Sequence, residues 1–143
     1  LLQEGCPGWM YQIKCGATTT WERWDALKPD GTVNEEKMAG SGDNMVSFNH
    51  YAFGSVGEFY YQYILGIKPQ KPGFAELHFE PYPDRRLGGV SGSYLSRAGK
   101  IESSWKYEED GCHISLNTPV KSEVVLPDGK KETVEAGTYQ WLC

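Results

Sequence analysis

The sequence has little cysteine and histidine, and neither residue is arranged as a metal site or a disulfide framework. Its four cysteines (Cys6, Cys15, Cys112 and Cys143) include no C-x-x-C pair, and its three histidines are scattered. Zinc sites need clustered Cys and His ligands, so we expect no metal and no other cofactor. Free thiols are the favoured interpretation, although a pairing such as Cys6 with Cys15 stays open.

Long apolar runs and long basic runs are also missing. No stretch approaches the ~18 consecutive apolar residues of a membrane-spanning helix, and the largest basic cluster is Lys130-Lys131. We therefore expect neither a membrane nor a nucleic acid as partner. No basic start precedes an apolar segment, so no signal peptide is expected within these residues. The compartment is left open, because such a signal would lie upstream.

Aromatic residues and glycine, in contrast, are plentiful. Phe, Trp and Tyr make up 13% of the 143 residues, and there are 17 glycines. Charged residues make up 23%, and the formal net charge is −5. This composition is typical of a globular domain with many tight turns.

The first half of the chain has the pattern of helices separated by a long loop. Pro7 predicts the start of a short helix that ends at Gly16. Residues 27–44 are rich in Gly, Asp, Asn and Pro, which predicts a loop. A second helix is expected to begin at a cap, Ser47 or Asn49, and to end at Gly66. This helix is apolar on nearly all sides, so it is expected to be buried within something larger than this chain.

After residue 70 the hydrophobic period changes from 3.6 to 2. Five or six short alternating runs, each bounded by turn residues, predict an antiparallel β-sandwich. Asp110-Gly111 and Asp128-Gly129 are predicted to be two-residue hairpin turns. The expected fold class is α+β by segment, with helices over residues 1–70 and a small sandwich over residues 71–143.

The stretch "GATTTWERWDAL" (residues 16–27) is the first candidate for chemistry. Glycoside hydrolysis needs two carboxylates, and Glu22 is one candidate. The residues alone favour a plainer interpretation, a salt bridge from Glu22 to Arg23 or to another basic group. Asp25 is too close to Glu22 in sequence to complete an inverting pair, which needs ~6.5–9.5 Å between carboxyl groups. A helix cap or an arginine partner is the better prediction for Asp25.

Aromatic residues and one histidine are candidates for sugar binding. His50 lies in "SFNHYAFG" at the expected start of a helix. It either donates to a sugar hydroxyl or is a capping or core histidine. Trp9, Trp21 and Trp24 either wall a sugar pocket or pack in a core. In the strands, Trp105 and Trp141 are expected to be core residues, although an aromatic platform for sugars stays open.

Three segments together carry a family resemblance: "GATTTWERWDAL", then "SFNHYAFGSVGEFYYQYILGI", then "PGFAELHFEPYPD". They resemble the C-terminal part of bacterial α-L-rhamnosidases of glycoside hydrolase family 78. The later run "GKIESSWKYEEDGCHISLNTPVKSEVVLP" is similar to the β-sandwich that follows the catalytic barrel in that family. The resemblance covers essentially the whole chain and implies the last helices of an (α/α)6 barrel followed by that sandwich.

The resemblance also implies a role for each candidate. Family members hydrolyse terminal α-L-rhamnosyl groups with inversion and without a metal. By resemblance, Glu22 is the general base and His50 contacts the rhamnose, while Trp9, Trp21 and Trp24 lie near the pocket. The implied partners are a rhamnose-containing glycan or glycoside and the remainder of the barrel.

The resemblance has one large gap. The family's general acid belongs to an acidic segment far upstream, and nothing in this sequence matches that segment. We therefore expect the chain alone to be inactive. The alternative is that the chain is a non-catalytic module, in which the sandwich binds carbohydrate or only braces its neighbour.

Overall fold

The computed structural model describes residues 4–36 and 45–143. The chain divides into two compact units, Leu1–Val56 and Gly57–Cys143. The predicted loop over residues 27–44 lies partly outside the described residues, because 37–44 are not among them. No helix in the described part of the chain is long and apolar enough to cross a bilayer.

The first unit contains one short α-helix, α1, over Trp9–Lys14. Lys14 lies in its last turn, where a cation complements the partial negative charge of the helix carboxyl end. The amide of Cys15 donates to the Tyr11 carbonyl over 3.0 Å, and Gly16 follows at a φ of +81°. The predicted helix over residues 7–16 is therefore present and shorter at both ends.

The second predicted helix is present, but it begins later than expected and changes its hydrogen-bonding pattern. A 3₁₀ turn over Ala52–Ser55 leads into the α-helical turn α2 over Val56–Phe59, and a π turn follows over Tyr60–Ile64. The expected caps were wrong. The Oγ of Ser47 accepts from the amide of Asn49 over 3.2 Å, while the amide of Ala52 is satisfied by a ring nitrogen of His50.

Two four-stranded sheets make up most of the second unit. The strands are β1 Ile67–Pro69, β2 Leu77–Phe79, β3 Gly89–Ser96, β4 Gly99–Glu108, β5 Gly111–Thr118, β6 Ser122–Val125, β7 Lys131–Val134 and β8 Gly137–Leu142. The first sheet has the order β1-β2-β6-β7, and the second has the order β3-β4-β5-β8. The predicted fold class, a helical segment followed by a small β-sandwich, is confirmed.

The sheets differ from the expected pattern in two respects. All pairings in the second sheet are antiparallel, but β2 and β6 pair in parallel in the first. Residues 4–36 and 45–143 also contain eight strands instead of five or six, because β1 directly follows the helical segment and β7 pairs with β6. The parallel pair joins residues 45 positions apart, His78 with Glu123, which alternation along the chain does not reveal.

The core of the second unit is formed by the inward faces of the two sheets. Its buried residues alternate along the strands, as period-2 patterning requires; they include Leu77 and Phe79 of β2, Ile101 and Trp105 of β4, Ile114 and Leu116 of β5, and Val124 of β6. Each such side chain contributes about 1.5–3 kcal/mol when fully buried.

The carboxyl end of the helical segment is attached to this core by two hydrogen bonds. The indole N–H of Trp105 donates to the Ile64 carbonyl, and the hydroxyl of Ser103 donates to the Leu65 carbonyl, each over 2.7 Å. Helix ends leave carbonyl groups without partners, and these two side chains satisfy them in a buried place. Trp105 is therefore a core residue, as the sequence predicts.

Candidate active site

Two segments that are distant in sequence lie side by side in the first unit. The amide of Glu22 donates to the Ser47 carbonyl over 2.9 Å, and the amide of His50 donates to the Thr20 carbonyl over 2.8 Å. The ring of Trp21 also meets that of Phe48 edge-on at 5.2 Å. The motif that contains Glu22 and the motif that contains His50 are thus brought together by backbone hydrogen bonds.

The Glu22 side chain is held at this junction. Its Oε2 atom accepts a hydrogen bond of 2.7 Å from the Ser47 amide, and the residue is half-buried. Among residues 4–36 and 45–143, the side chain uses only Oε2 in this way. A carboxylate fixed through one oxygen can still accept a proton on the other, which is what a general base must do.

Arg23 pairs with Asp25 and not with Glu22. The guanidinium of Arg23 donates to both carboxylate oxygens of Asp25, over 2.6 and 3.0 Å, and Asn34 donates to the same carboxylate over 3.0 Å. The Arg23 hydrogen bond is the main cause that lowers the pKa of Asp25. The expected arginine partner of Asp25 is confirmed, and the predicted salt bridge between Glu22 and Arg23 was wrong.

His50 stands at the start of the helical segment. Its Nδ1 atom accepts from the amide of Ala52 over 3.2 Å, and its ring stacks on Tyr51 at 5.3 Å with an angle of 5°. When Nδ1 accepts, a neutral ring must carry its proton on Nε2. The cap interpretation and the donor interpretation are therefore compatible, because the two ring nitrogens serve different roles.

The three tryptophans differ in accessibility. Trp21 is 4% exposed, which is typical of a packing residue, whereas Trp9 and Trp24 are half-buried. The ring of Trp24 packs against that of Phe53, with 5.6 Å between the ring centroids. None of these contacts tests a role in sugar binding, and for all three that role stays a prediction.

Three buried N–H donors in this unit have no hydrogen-bond partner in the described part of the chain. They are the indole nitrogens of Trp9 and Trp24 and the amide nitrogen of Gln12. Buried donors in native structures are nearly always paired. Gln12 is 1% exposed, and its Oε1 accepts from the amide of Trp21 over 3.4 Å. Sequence reasoning missed Gln12, because a single glutamine on a short helix carries no pattern.

The second unit holds a small group of potential metal ligands. One ligand atom each from Glu108, Asp110 and His113 lies within 4.8 Å of the others, and all three residues are exposed. The hydrogen bond to Asp110 raises the pKa of His113, so this group is satisfied as an ion pair. The four cysteines are free thiols, as the sequence favours.

Two family models match consecutive parts of the chain. A family model described as the bacterial alpha-L-rhamnosidase 6 hairpin glycosidase domain matches residues 1–64. A second, described as the bacterial alpha-L-rhamnosidase C-terminal domain, matches residues 66–140.

Individual relatives carry the same name. The chain is 38% identical to an alpha-L-rhamnosidase of Alteromonas sp. (strain LOR) over 89% of its length, and 34% identical to one of Streptomyces avermitilis over 94%. It spans only 13% of either relative.

Solved structures agree. An Aspergillus terreus α-L-rhamnosidase matches 99% of the chain and 16% of its own length, with a TM-score of 0.80 and 34% identity. The Streptomyces avermitilis enzyme complexed with L-rhamnose matches 98% of the chain and 15% of its own length, with a TM-score of 0.78 and 30% identity.

Proposed function

Because the chain belongs to the bacterial α-L-rhamnosidase family, we propose that it is the carboxyl-terminal part of a longer enzyme that hydrolyses terminal α-L-rhamnosyl groups. Its substrates would be rhamnose-containing glycosides or polysaccharides. By the predicted division, residues 1–70 contribute the last helices of the catalytic barrel and residues 71–143 the accessory sandwich, to which β1 (Ile67–Pro69) also belongs. The rest of the barrel is the required partner.

Glu22 is the general base of the proposed reaction. It removes a proton from a water molecule as that water attacks the anomeric carbon, so the configuration is inverted. The observation that supports this role is the hydrogen bond from the Ser47 amide to Oε2, which aims the carboxylate while leaving Oε1 for the water. Because Arg23 is occupied by Asp25, no arginine bonds to this carboxylate within the described residues.

His50 and the tryptophans are proposed to bind the sugar. The Nε2–H of His50 donates to a rhamnose hydroxyl, since its Nδ1 is used by Ala52. Trp24 and Trp9, which are half-buried, are proposed to offer apolar ring faces to the sugar. Trp21, which is 4% exposed, is proposed to line the pocket from behind.

The general acid is proposed to come from the part of the parent enzyme that lies outside this chain. Asp25 is unsuited to the role, because Arg23 lowers its pKa and keeps it ionised. A general acid must instead carry a proton at working pH.

The test is a Glu22→Gln substitution in the longer protein that contains this chain. General base catalysis contributes roughly 10²–10⁴-fold, so kcat on an aryl α-L-rhamnoside is expected to fall by that factor while KM changes little. Glu35→Gln, an exposed glutamate of the same unit, is the matched control and should keep full activity.

Proton NMR of the first-formed sugar gives a second measurement. An inverting enzyme releases β-L-rhamnose from an α-linked substrate. A product that appears first as the α anomer, or a Glu22→Gln variant with unchanged kcat, contradicts the assignment.

A further inference from the structure

One polar side chain in the first unit is almost fully buried but only partly paired. Gln12 of α1 is 1% exposed. Its Oε1 atom accepts a hydrogen bond of 3.4 Å from the amide of Trp21, and its Nε2 atom has no partner in the described part of the chain. Trp21 directly precedes Glu22, so the paired end of this side chain contacts the segment that carries the proposed base.

Hydrogen bonding alone does not explain why a glutamine is buried at this position. Its oxygen pairs one buried donor, the Trp21 amide, but its own amide group is a second buried donor, which is unpaired within residues 4–36 and 45–143. An unpaired buried donor lowers stability at least as much as a neutral hydrogen bond raises it. The benefit of Gln12 to the protein therefore lies in the direction that it gives to the backbone.

Gln12 holds one side of a single peptide plane. The Trp21 amide and the Thr20 carbonyl belong to the same planar trans peptide unit, so they point in opposite directions. Gln12 accepts from the amide, and the backbone amide of His50 donates to the carbonyl over 2.8 Å. Because the plane is held from both sides, it cannot rotate without breaking one of these hydrogen bonds. The plane thus connects α1 with the motif that contains His50.

The same peptide plane determines where Glu22 lies. Only the two backbone dihedrals of Trp21 separate it from the next amide, that of Glu22, which donates to the Ser47 carbonyl over 2.9 Å. The Ser47 amide in turn donates to Oε2 of Glu22 over 2.7 Å. Rotation of the plane would shift the Glu22 backbone against Ser47 and displace the carboxylate. Small displacements of a catalytic group lower reaction rates strongly.

We propose that Gln12 is a positioning residue, which acts through the Thr20–Trp21 peptide plane and holds Glu22 and His50 in place relative to each other. It contacts neither the attacking water nor the sugar. The role of Glu22 as base rests on the proposed function, whereas the contact between Gln12 and Trp21 does not. Because the side-chain oxygen makes this contact, a glutamate at position 12 should preserve the role and a methionine should not.

The experiment compares Gln12→Met with Gln12→Glu in the longer protein that contains this chain. Methionine has a similar length but no oxygen, so kcat on an aryl α-L-rhamnoside is expected to fall roughly tenfold to a hundredfold, with a smaller change in KM. The unfolding temperature is expected to change little, because this substitution removes one unpaired donor, Nε2, and creates another, the Trp21 amide. Gln12→Glu keeps an accepting oxygen and is expected to recover most of kcat.

Tyr11→Phe is the matched control. The Tyr11 hydroxyl, on the same helix, donates to the Leu27 carbonyl over 3.1 Å. Its removal breaks a hydrogen bond between α1 and the segment of residues 20–27, but it leaves the Thr20–Trp21 plane held. This variant is expected to keep kcat and to lose a little thermal stability.

Hydrogen exchange tests the contact independently of activity. Amides in a peptide that contains residues 20–22 are expected to exchange faster in Gln12→Met, because the Trp21 amide has lost its acceptor, and at the unaltered rate in Tyr11→Phe. If Glu22→Gln keeps kcat, the proposed function fails, and the exchange rates still decide whether Gln12 holds the plane.

Exchange at residues 20–22 that is the same in Gln12→Met as in the unaltered protein overturns the proposal. Where Glu22→Gln lowers kcat, an unchanged kcat in Gln12→Met overturns it as well. A folded Gln12→Glu variant that loses as much kcat as Gln12→Met does the same, because the oxygen is then not what matters. So does an equal loss of kcat in Tyr11→Phe, which would mark a general effect of loosening α1.

Discussion

At the scale of single residues, Glu80 is a carboxylate of the sandwich that pairs with a lysine and a histidine. It follows β2 and accepts a hydrogen bond of 2.7 Å from Lys68 of β1. That bond is the main cause that lowers the pKa of Glu80 to about 2. A carboxyl whose pKa falls on folding stabilises the fold above its ordinary pKa, and this contribution is lost as the pH falls toward the folded value.

We therefore predict that the sandwich loses stability between about pH 4.5 and pH 2, the ordinary and folded pKa values of Glu80. Because solvent reaches part of this pair, the loss is expected to be about 1–2 kcal/mol. Thermal unfolding as a function of pH measures it. In Glu80→Gln and Lys68→Met, stability should depend less on pH over this range. A Glu80→Gln variant whose stability falls with pH in parallel with that of the unaltered chain contradicts the prediction.

Residue types and their neighbours in sequence predicted part of the candidate site. Glu22 and His50 stood out because each lies in a motif of unusual composition, and the structure brings the two motifs together. The partner of Arg23 was wrongly predicted, since adjacent residues point in different directions and Asp25 offers the better geometry. The Ser47 amide that holds Glu22 is a backbone group, which no side-chain pattern identifies.

At the scale of elements, Gly66 ends the helical segment and allows β1 to begin. Its φ is +74°, and a Cβ atom there would stand against the backbone of Glu80 and Pro81, 2.5 Å from the Glu80 carbonyl carbon. Gly129 in the β6–β7 turn has a similar φ of +88° but open space around it. Substitution of Gly129 therefore measures backbone strain alone, whereas substitution of Gly66 measures backbone strain together with steric overlap.

Gly129→Ala is predicted to cost about 1–2 kcal/mol in the free energy of unfolding, the price of a left-handed conformation for a residue with a Cβ. Gly66→Ala is predicted to cost at least ~3 kcal/mol, because backbone atoms must also move. Urea denaturation of both variants measures the difference. Equal losses in the two variants would show that the close approach at Gly66 relaxes at no cost.

The strand pattern was readable from sequence where a whole face alternates, as in β4 and β5. It was less readable where a strand is defined by its pairing with a distant segment. Strand β1 has only three residues and is defined by its pairing with β2. The hairpin between β4 and β5 turns at residues 109 and 110, one position before the prediction, because Gly111 already pairs with Glu108. The β6–β7 turn is also longer than predicted, since Leu126 pairs with Lys130.

At the scale of the whole molecule, the two units differ in how much apolar surface each buries. In the described part of Leu1–Val56, the buried apolar side chains are those of Trp21 and Ala26. The second unit has a continuous core between its sheets. Local stability follows buried apolar contacts, so the units are expected to differ in it.

Hydrogen exchange is predicted to resolve this difference. Amides in the middle of β4 and β5 should exchange at least about a hundredfold more slowly than those of α1, a difference of about 3 kcal/mol in opening free energy. Mass spectrometry of peptides from residues 9–14 and 101–116 measures both. Similar protection of the two peptides would mean that the first unit has a stabilising core of its own.

The last prediction concerns the activity of the isolated chain. We predict that the 143-residue chain alone does not hydrolyse an aryl α-L-rhamnoside, while the longer protein does so under the same conditions. A base and an acid must stand roughly 6.5–9.5 Å apart across the scissile bond in an inverting enzyme. Under the proposed function Glu22 is the base, and Asp25 is bound to Arg23 as an ion, so Asp25 is unsuited to protonate the leaving group and the acid is proposed to lie outside this chain. Turnover by the isolated chain that Glu22→Gln abolishes would place both catalytic groups within these residues.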